Sequence, residues 1–374
     1  MRATCRDHAA FADQIAADPL ARATPAGLLD RLRGKDVLVV FVESYGRSAI
    51  QDSPMAPGVD AVLDRGTRQL RRAGYGARSA FLTSPTFGAG SWLAHSTLQS
   101  GLWVDSQRRY SQLLGSRRLT LSRAFRDAGW RTVFVVPSVT RAWGEGQRFY
   151  GFDQLYDAGN AGYRGPAFGY ATMPDQYTLA HLRAAELTAD PRPRVMAEVD
   201  LVSSHHPWAP LPQPVPWSRV GDGSVFRGMP ARGRTAEEVL SDPDLVREAY
   251  GQSVEYSLGT LVSFLTTSPD DDLVVLMLGD HQPHHLVSGS RPGYDVPVSL
   301  LARDPAVLSA VADWGWSAGL RPSAAAPVWR MDALRDRFLA AFSSATPPVE
   351  PQPVAHRLPT EEPGPTRTGA ETGR

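Results

Sequence analysis

Cysteine and lysine are almost absent from this sequence, and neither charge sign is in excess. Cys5 is the only cysteine among 374 residues, so no disulfide can form within the chain. The cysteine content therefore does not indicate whether the protein works in an oxidising or a reducing compartment. Lys35 is the only lysine, and arginine therefore supplies nearly all of the positive charge. The 39 basic residues balance 39 acidic residues. This balance gives no indication of nucleic-acid binding.

Long apolar runs are missing as well. No stretch approaches the roughly 20 residues that a membrane-spanning helix needs. The first residues, MRATCRDHAAFADQ, lack the apolar core of a signal peptide. The sequence therefore predicts a soluble chain, and any export signal would lie upstream of it. The chain is long enough to bury a large core in one domain or two.

What the sequence does contain is an alternation of apolar strands and amphipathic helices. Buried strands are predicted at residues 36–43, 77–82, 131–136, 194–202, 273–278 and 296–301. Helices are predicted at about 58–73, from Ser91, and at about 119–128, 174–189, 244–266 and 331–342. This order predicts an α/β fold with a mostly parallel central sheet and helices on both faces. Such sheets bind ligands beyond the carboxyl ends of their strands.

The composition divides the chain into three segments. We expect residues 1–30 to form a short helical lead-in, residues 31–345 to form the main domain, and the Pro-rich residues 346–374 to be disordered. Residues 207–241 are rich in proline, glycine and aromatic side chains. This pattern predicts a long ordered loop that folds against the site rather than a linker.

A Gly-rich bend at residues 88–90 leads into the helix that is predicted to begin at Ser91. The hydroxyl would lie among unpaired backbone N–H groups at the positive end of the helix dipole. That position suits a nucleophile that must become an alkoxide and then carry an anionic group. The alternative is that Ser91 only caps the helix, which is a frequent role of serine.

Polar side chains also end two of the predicted strands. Glu43 follows the first strand, and Asp280 and His281 follow a late one. Singly, Glu43 could pair with an arginine, and Gly-Asp-His could be a turn. Together with Ser91 they form a mixed oxygen and nitrogen set that suits Mn²⁺, Zn²⁺ or Mg²⁺. An ion there would lower the pKa of the hydroxyl and neutralise charge on a phosphoryl group.

These motifs resemble those of sulfatase-like members of the alkaline phosphatase superfamily. The chain is most similar to the extracytoplasmic catalytic domains of lipoteichoic-acid-synthase-type phosphoglycerol transferases. The resemblance covers about residues 34–340 and rests on Val-Phe-Val-Glu43, Gly90-Ser91, Ser-Ser-His205-His-Pro-Trp208 and Leu-Gly-Asp280-His281-Gln. It implies one divalent ion, with Mn²⁺ expected and Zn²⁺, Mg²⁺ or Ca²⁺ as alternatives. Its ligands would be Glu43, Ser91, Asp280 and His281.

The departures from the sulfatase pattern bear on the chemistry. In sulfatases the cysteine or serine that becomes formylglycine is followed by proline and arginine. Here Ser91 is followed by Trp92, Leu93 and Ala94, and His95 stands at the place of the arginine. This argues against sulfate-ester hydrolysis. The resemblance then implies a two-step phosphoryl transfer through a phosphorylated Ser91.

The resemblance also implies residues that contact the substrate. His205 would hold the substrate phosphate or protonate the leaving oxygen, whereas His206 would pack or face solvent. Arg141 and Trp143 stand in the loop that contacts glycerol phosphate in the phosphoglycerol transferases, although their spacing to the following Gly-Phe-Asp differs from the family's. His95 lies one helical turn after Ser91 and either orients the substrate or packs the helix.

Two more histidines, His284 and His285, are either ligands of a second metal or an exposed pair. Loop tryptophans (Trp92, Trp103, Trp143, Trp208 and Trp217) suit either sugar or lipid contacts or the core.

The sequence thus favours a metal-dependent phosphotransferase or phosphodiesterase. The expected substrate is a phospholipid headgroup or a cell-envelope glycopolymer, outside the cytoplasm and near a membrane surface. The alternatives are a sulfatase-like hydrolase of small phosphate, phosphonate or sulfate esters, and a non-catalytic binding module of an envelope protein. The sequence predicts neither the acceptor nor the oligomeric state.

Overall fold

The computed structural model describes residues 2–18, 27–268, 270–289 and 293–344, and for residues 2–5 only the backbone. The tail predicted for residues 346–374 lies outside these residues, as does part of the predicted lead-in. Among the described residues, no helix has the length and apolar content needed to cross a bilayer.

One mixed sheet runs through the described part of the chain. Its nine strands are β1 Asp36–Val42, β2 Gly76–Thr83, β3 Arg131–Val135, β4 Gln154–Tyr156, β5 Val195–Leu201, β6 Leu273–Gly279, β7 Asp295–Ala302, β8 Ser317–Ala318 and β9 Val328–Arg330. Their order is β4-β3-β5-β1-β6-β7-β2-β8, and β9 also pairs with β2. Strands β4, β3, β5, β1 and β6 are parallel, whereas β7 runs antiparallel to both β6 and β2. The predicted mostly parallel sheet is confirmed.

Twelve helices accompany the sheet in the described residues. They are α1 Arg2–Ala16, α2 Ala56–Arg72, α3 Ser91–Ser100, α4 Gln107–Leu114, α5 Leu121–Asp127, α6 Gly144–Tyr150, α7 Asp175–Leu182, α8 Ala236–Leu240, α9 Pro243–Thr266, α10 His285–Ser288, α11 Pro305–Ser309 and α12 Ala333–Phe342. Helices α2 and α7 contact α9, while α4, α5 and α12 contact α3. The helix predicted at 174–189 is an α-helix followed by a π-helical turn, Arg183–Leu187.

The centre of the sheet is completely buried. Every residue of β1 and β6 is buried, as expected for parallel strands with helices on both faces. Phe41 near the end of β1 pairs in register with Asp200 of β5 and with Leu278 of β6. The carboxyl ends of these three strands are therefore level with one another. The side chains that follow them meet at one edge of the sheet.

The predicted loop at 207–241 is ordered but only partly directed at the site. Trp208 is buried and packs edge-on against Tyr250 of α9. Farther along, Val220 and Phe226 pack into a second hydrophobic cluster that also contains Phe168. This part of the loop thus packs on apolar side chains of residues 161–177, while Trp208 and Val239 join the main core.

The start of the chain is joined to α12 through buried charges. Phe11 of α1 is fully buried in the main core. Asp18 lies 3.2 Å from Nε of Arg118 and 3.2 Å from Nη2 of Arg335, and Arg335 is fully buried. Burial and the neighbouring Arg335 lower the pKa of Arg118 to about 10. One carboxylate thus compensates two buried cations.

We expect Asp18→Asn to lower the free energy of unfolding by about 3 kcal/mol, because it leaves two buried guanidinium groups without this carboxylate. Chemical denaturation checks this value. The control is Asp7→Asn, which removes the partner of Arg109 at a more exposed position and should cost below about 1 kcal/mol. Equal losses for the two variants would contradict the assignment.

Candidate active site

Ser91 is the first residue of α3, and its side chain points to the strand ends. The N-cap is Gly90, whose φ of 82° is in the left-handed region that glycine adopts readily, and no side chain caps the helix. The Ser91 hydroxyl donates a hydrogen bond to Glu43 Oε2 at 3.0 Å and lies 3.3 Å from His281 Nε2. The interpretation of Ser91 as only a helix cap is therefore wrong.

The side chains of Glu43, Asp280 and His281 lie close to one another beside this hydroxyl. Glu43 Oε1 lies 3.4 Å from His281 Nε2, and Asp280 Oδ2 lies 3.5 Å from the same nitrogen. Glu43 follows β1, and Asp280 and His281 follow β6, as the sequence predicts. The structure thus brings the four predicted metal ligands together. Glu43, Asp280 and His281 meet because β1 and β6 are neighbours with level ends, and the start of α3 places Ser91 beside them.

Backbone groups orient these ligands. Asp280 Oδ1 accepts hydrogen bonds from the N–H groups of Ser44 and His281, each at 2.7 Å, which leaves Oδ2 directed at the centre. The Nδ1 atom of His281 lies 2.8 Å from the carbonyl oxygen of Gln282. Such a contact fixes the imidazole ring so that Nε2 faces the other ligands. The Ser44 hydroxyl donates to Glu43 Oε1 at 2.9 Å.

The site has an excess of buried negative charge. Burial and the neighbouring Glu43 raise the pKa of Asp280 to about 6. Burial lowers the pKa of His281, but Asp280 and Glu43 raise it by more, so the net shift is upward. Both shifts have one electrostatic cause, which is that two carboxylates lie in a region with little water. A cation would relieve this repulsion.

The donor set fits a divalent ion. The ligand atoms of Glu43, Asp280 and His281 lie within 4.8 Å of one another. Two carboxylates and an imidazole, with the hydroxyl of Ser91 as a fourth donor, suit Zn²⁺ or Mn²⁺. These four residues would hold the ion.

Glycines allow the strand ends to come this close. A Cβ atom on Gly279 would lie 1.9 Å from the carbonyl oxygen of Tyr45, and one on Gly46 would lie 1.9 Å from Gln282 Oε1. Only glycine fits at such an approach. Gly279 of the Gly-Asp-His motif is therefore required on steric grounds, because it lets the turn after β1 pass close to the end of β6.

A cavity of about 860 Å³ opens over these groups. It is lined by seven of the eight predicted site residues, Glu43, Ser91, His95, Arg141, Trp143, His205 and His281, whereas Asp280 lies buried behind them. Much of the remaining wall is aromatic and comes from Trp92, Tyr110, Phe134, Tyr150, Phe152, Tyr170 and Trp208. Of the loop tryptophans, Trp92, Trp143 and Trp208 line the cavity. Trp103 lies beneath Arg330, and Trp217 packs against Phe264.

The two adjacent histidines differ in their surroundings. The ring of His205 is half-buried and stacks on Tyr170 at a centroid distance of 3.6 Å. Burial lowers the pKa of His205, which favours the neutral imidazole near pH 7. His206 is exposed and packs edge-on against Trp208.

The second pair of histidines does not form a metal site in the described residues. No group of metal-ligating side chains there includes His284 or His285. The side chain of His284 accepts a hydrogen bond from Leu286 N at 3.4 Å and so caps α10, and His285 is exposed. Only His285 fits the interpretation of an exposed pair, since His284 is half-buried and lines the cavity.

Sequence reasoning missed two acidic residues of the cavity wall. Glu198 and Asp200 of β5 line the cavity, and Nδ1 of His95 lies 2.7 Å from Glu198 Oε1. Alternate residues of a strand face the same side, so both carboxyl groups point towards α3. Two acidic residues spaced by two in an otherwise buried strand were the available signal. His95 therefore both packs on β5 and lines the cavity, and a role in orienting the substrate stays a prediction.

Comparisons with known proteins show the fold. Neither protein families nor curated protein sequences give a match to this chain. Among solved structures, the lipoteichoic acid synthase LtaP from Listeria monocytogenes matches with a TM-score of 0.52 at 15% identity, over 82% of this chain and 71% of that one. The zinc complex of the C-terminal periplasmic domain of EcEptC from Escherichia coli matches with a TM-score of 0.54 at 14% identity, over 84% of this chain and 85% of that one.

A third structure is the Streptococcus pyogenes phosphoglycerol transferase GacH in complex with sn-glycerol-1-phosphate. It matches with a TM-score of 0.47 at 12% identity, over 79% of this chain and 72% of that one. The matches to LtaP and to the EcEptC domain show that the chain shares their α/β fold, as the sequence predicts. Sequence identities this low show the fold alone and establish no activity for this chain.

We expect Gly279→Ala to weaken Mn²⁺ or Zn²⁺ binding at least about tenfold, because the new methyl group pushes the Tyr45 backbone away and with it the Ser44 N–H that orients Asp280. Isothermal titration calorimetry with each ion checks this. The control is Gly259→Ala in α9, where an added Cβ meets nothing within 4 Å. The control should keep its metal affinity, and a loss of affinity in both variants would contradict the steric argument.

Proposed function

We propose that this chain is a metal-dependent phosphotransferase or phosphodiesterase that forms a covalent phosphoserine at Ser91. The observation that carries the proposal is the contact of the Ser91 hydroxyl with Glu43 and His281 at the start of α3, within one cavity. A hydroxyl in this position lies near helix N–H groups that stabilise an alkoxide and an attached phosphate.

The reaction would proceed in two steps. In the first, Ser91 Oγ bonds to phosphorus, the bond to the leaving oxygen breaks, and the serine proton ends on that oxygen. In the second, an acceptor hydroxyl or water attacks phosphorus, Ser91 leaves, and the acceptor's proton returns to the serine. A divalent ion, when bound, supplies Lewis-acid stabilisation of the alkoxide and of the phosphoryl charge. His205, with its lowered pKa, can accept and return a proton near pH 7.

The other walls of the cavity support a phospholipid headgroup or a cell-envelope glycopolymer as the substrate. Arg141 offers a permanent cation for a phosphate, and Trp143 offers a flat apolar face. A cavity of about 860 Å³ has room for a headgroup larger than a single phosphate. On the resemblance described above, we propose that the chain acts outside the cytoplasm, close to a membrane surface, with Mn²⁺ as the first ion to test.

The test is headgroup release from a fluorescent phosphatidylglycerol in the presence of Mn²⁺. We expect wild-type protein to release diacylglycerol and Ser91→Ala to lose activity by at least about 10³-fold, since a missing nucleophile is not replaced by its neighbours. Chelation should abolish the activity and added Mn²⁺ should restore it. The control is Ser138→Ala, a serine that lines the same cavity outside the metal-ligand set and should keep most of the activity.

The other outcomes separate the alternatives. Cleavage of a generic phosphodiester but not of the lipid would keep the Ser91 chemistry and indicate a hydrolase of small esters. Inactivity of wild type on every ester, with no metal bound, would favour the non-catalytic binding module.

A further inference from the structure

The ring of His95 is held in one orientation by a carboxylate and an aromatic ring. Its Nδ1 atom lies 2.7 Å from Glu198 Oε1, and its face stacks on Phe41 at a centroid distance of 3.7 Å. The other carboxylate oxygen of Glu198 accepts a hydrogen bond from the amide of Gln99. Gln99 in turn accepts one from the backbone N–H of Ser122 at 2.9 Å. Hydrogen bonds thus hold His95 on Glu198, Glu198 on Gln99, and Gln99 on the backbone at Ser122.

The second ring nitrogen of His95 remains available to a ligand. Nδ1 is occupied by Glu198, whereas Nε2 has no hydrogen-bond partner among the described residues. The residue lines the cavity and is 8% exposed. Because His95 lies one helical turn after Ser91, the two side chains project from the same face of α3. Nε2 is therefore the polar edge that the ring can offer to a ligand bound at Ser91.

The charged groups around the ring favour its cationic form. Asp200 Oδ1 lies 3.7 Å from His95 Nδ1 and has no hydrogen-bond partner among the described residues. At the end of β6, Asp280 attracts the charged ring and His281 opposes it. Burial lowers the pKa of His95, but Asp200 and Glu198, and less strongly Asp280, raise it to about 9. The hydrogen bond to the Glu198 carboxylate therefore favours the charged ring over the neutral one, whereas burial raises the pKa of Asp200 to about 8.

We propose that Glu198 is a positioning residue that holds His95 through Nδ1, so that the Nε2–H group of the ring donates a hydrogen bond to a phosphate oxygen of the substrate held at Ser91. This inference rests on the proposed function in one respect only, which is that the ligand is a phosphate ester. A charged N–H donor is stronger than a neutral one, and an orienting carboxylate keeps it aimed at the anion. His95 thereby supplies an anion contact opposite to the carboxylates of the metal-ligand set.

The same three side chains also have the composition of a cation site, since ligand atoms of His95, Glu198 and Asp200 lie within 4.8 Å of one another. The hydrogen bonds argue against it. Nδ1 of His95 and both oxygens of Glu198 are already engaged within the protein. A cation would have to displace a buried, charge-assisted hydrogen bond. One divalent ion per chain is expected, and two would overturn the proposal.

The first experiment follows the protonation of His95 by NMR in protein with labelled histidine, with His95→Gln to assign the signal. In wild type we expect the ring to stay charged beyond pH 8. In Glu198→Gln it should titrate close to the ordinary pKa of histidine, about 6.5. Asp200→Asn, whose Oδ1 has no hydrogen-bond partner among the described residues, is a second variant. Because burial raises the pKa of Asp200 to about 8, this variant removes charge mainly above that pH and should lower the pKa of the ring there. A wild-type ring that titrates near 6.5 would overturn the proposal.

The second experiment measures binding of inorganic phosphate by calorimetry in the presence of Mn²⁺. At pH 7.5 we expect Glu198→Gln to bind phosphate about ten- to a hundredfold more weakly, the usual effect of losing a hydrogen bond to a charged group. At pH 6 the freed imidazole regains its proton, so most of the loss should be recovered. Unchanged affinity at pH 7.5, or an equal loss at both pH values, would contradict the anion contact.

A matched control separates this role from a structural one. Glu186 is another buried carboxylate, bonded to Arg131 and Tyr156 outside the cavity. Glu186→Gln should leave both the titration of His95 and the affinity for phosphate unchanged. Neither readout requires turnover. An inactive protein with the expected titration and phosphate binding would therefore overturn the proposed function and leave the role of Glu198 standing.

Discussion

Negative charge buried at one edge of the sheet is the constraint on which the rest of the site depends. Glu43, Asp280, Glu198 and Asp200 all lie at or near the carboxyl ends of β1, β5 and β6, where little water reaches them. Carboxylates in such a position repel one another unless cations or hydrogen-bond donors compensate them. The protein meets this need with two imidazoles and with backbone N–H groups. A divalent ion among the ligands of the Ser91 site would complete the compensation.

The compensation is divided between two sides of the same cavity. Around Ser91, the ligands point inward at one another, and their outward atoms are satisfied by Ser44 and by the carbonyl of Gln282. On the other side, His95 itself is the cation, and Glu198 forms a hydrogen bond with this histidine instead of binding an ion. With a divalent ion bound among the ligands around Ser91, a phosphate between the two sides would meet positive charge on both. The helix α3 carries both Ser91 and His95, so one rigid element sets their separation.

The sequence was sufficient for the parts of this arrangement that are local. Apolar runs located the long strands to within a residue or two, and the polar residues that follow two of them, Glu43 and Asp280-His281, were found because they interrupt such runs. Strands β4, β8 and β9 have two or three residues each, which is too few to show a period. Glu198 and Asp200 were missed because acidic residues at alternate positions are also typical of a strand with one solvated face. Only the packing of α3 on that face shows that these residues are buried.

The order of the strands has a consequence for how the chain can fold. β1 precedes the other strands of the described residues and lies in the middle of their sheet. Its partners there are β5, at residues 195–201, and β6, at residues 273–279. One edge of β1 therefore stays unpaired until β5 has been synthesised, and the other edge stays unpaired until β6 has been synthesised. Contacts between segments so distant in sequence slow folding, and unpaired, aggregation-prone strands stay exposed until these contacts form. On the ribosome, the strand that leads to Glu43 is made before both of its partner strands and can be paired only late.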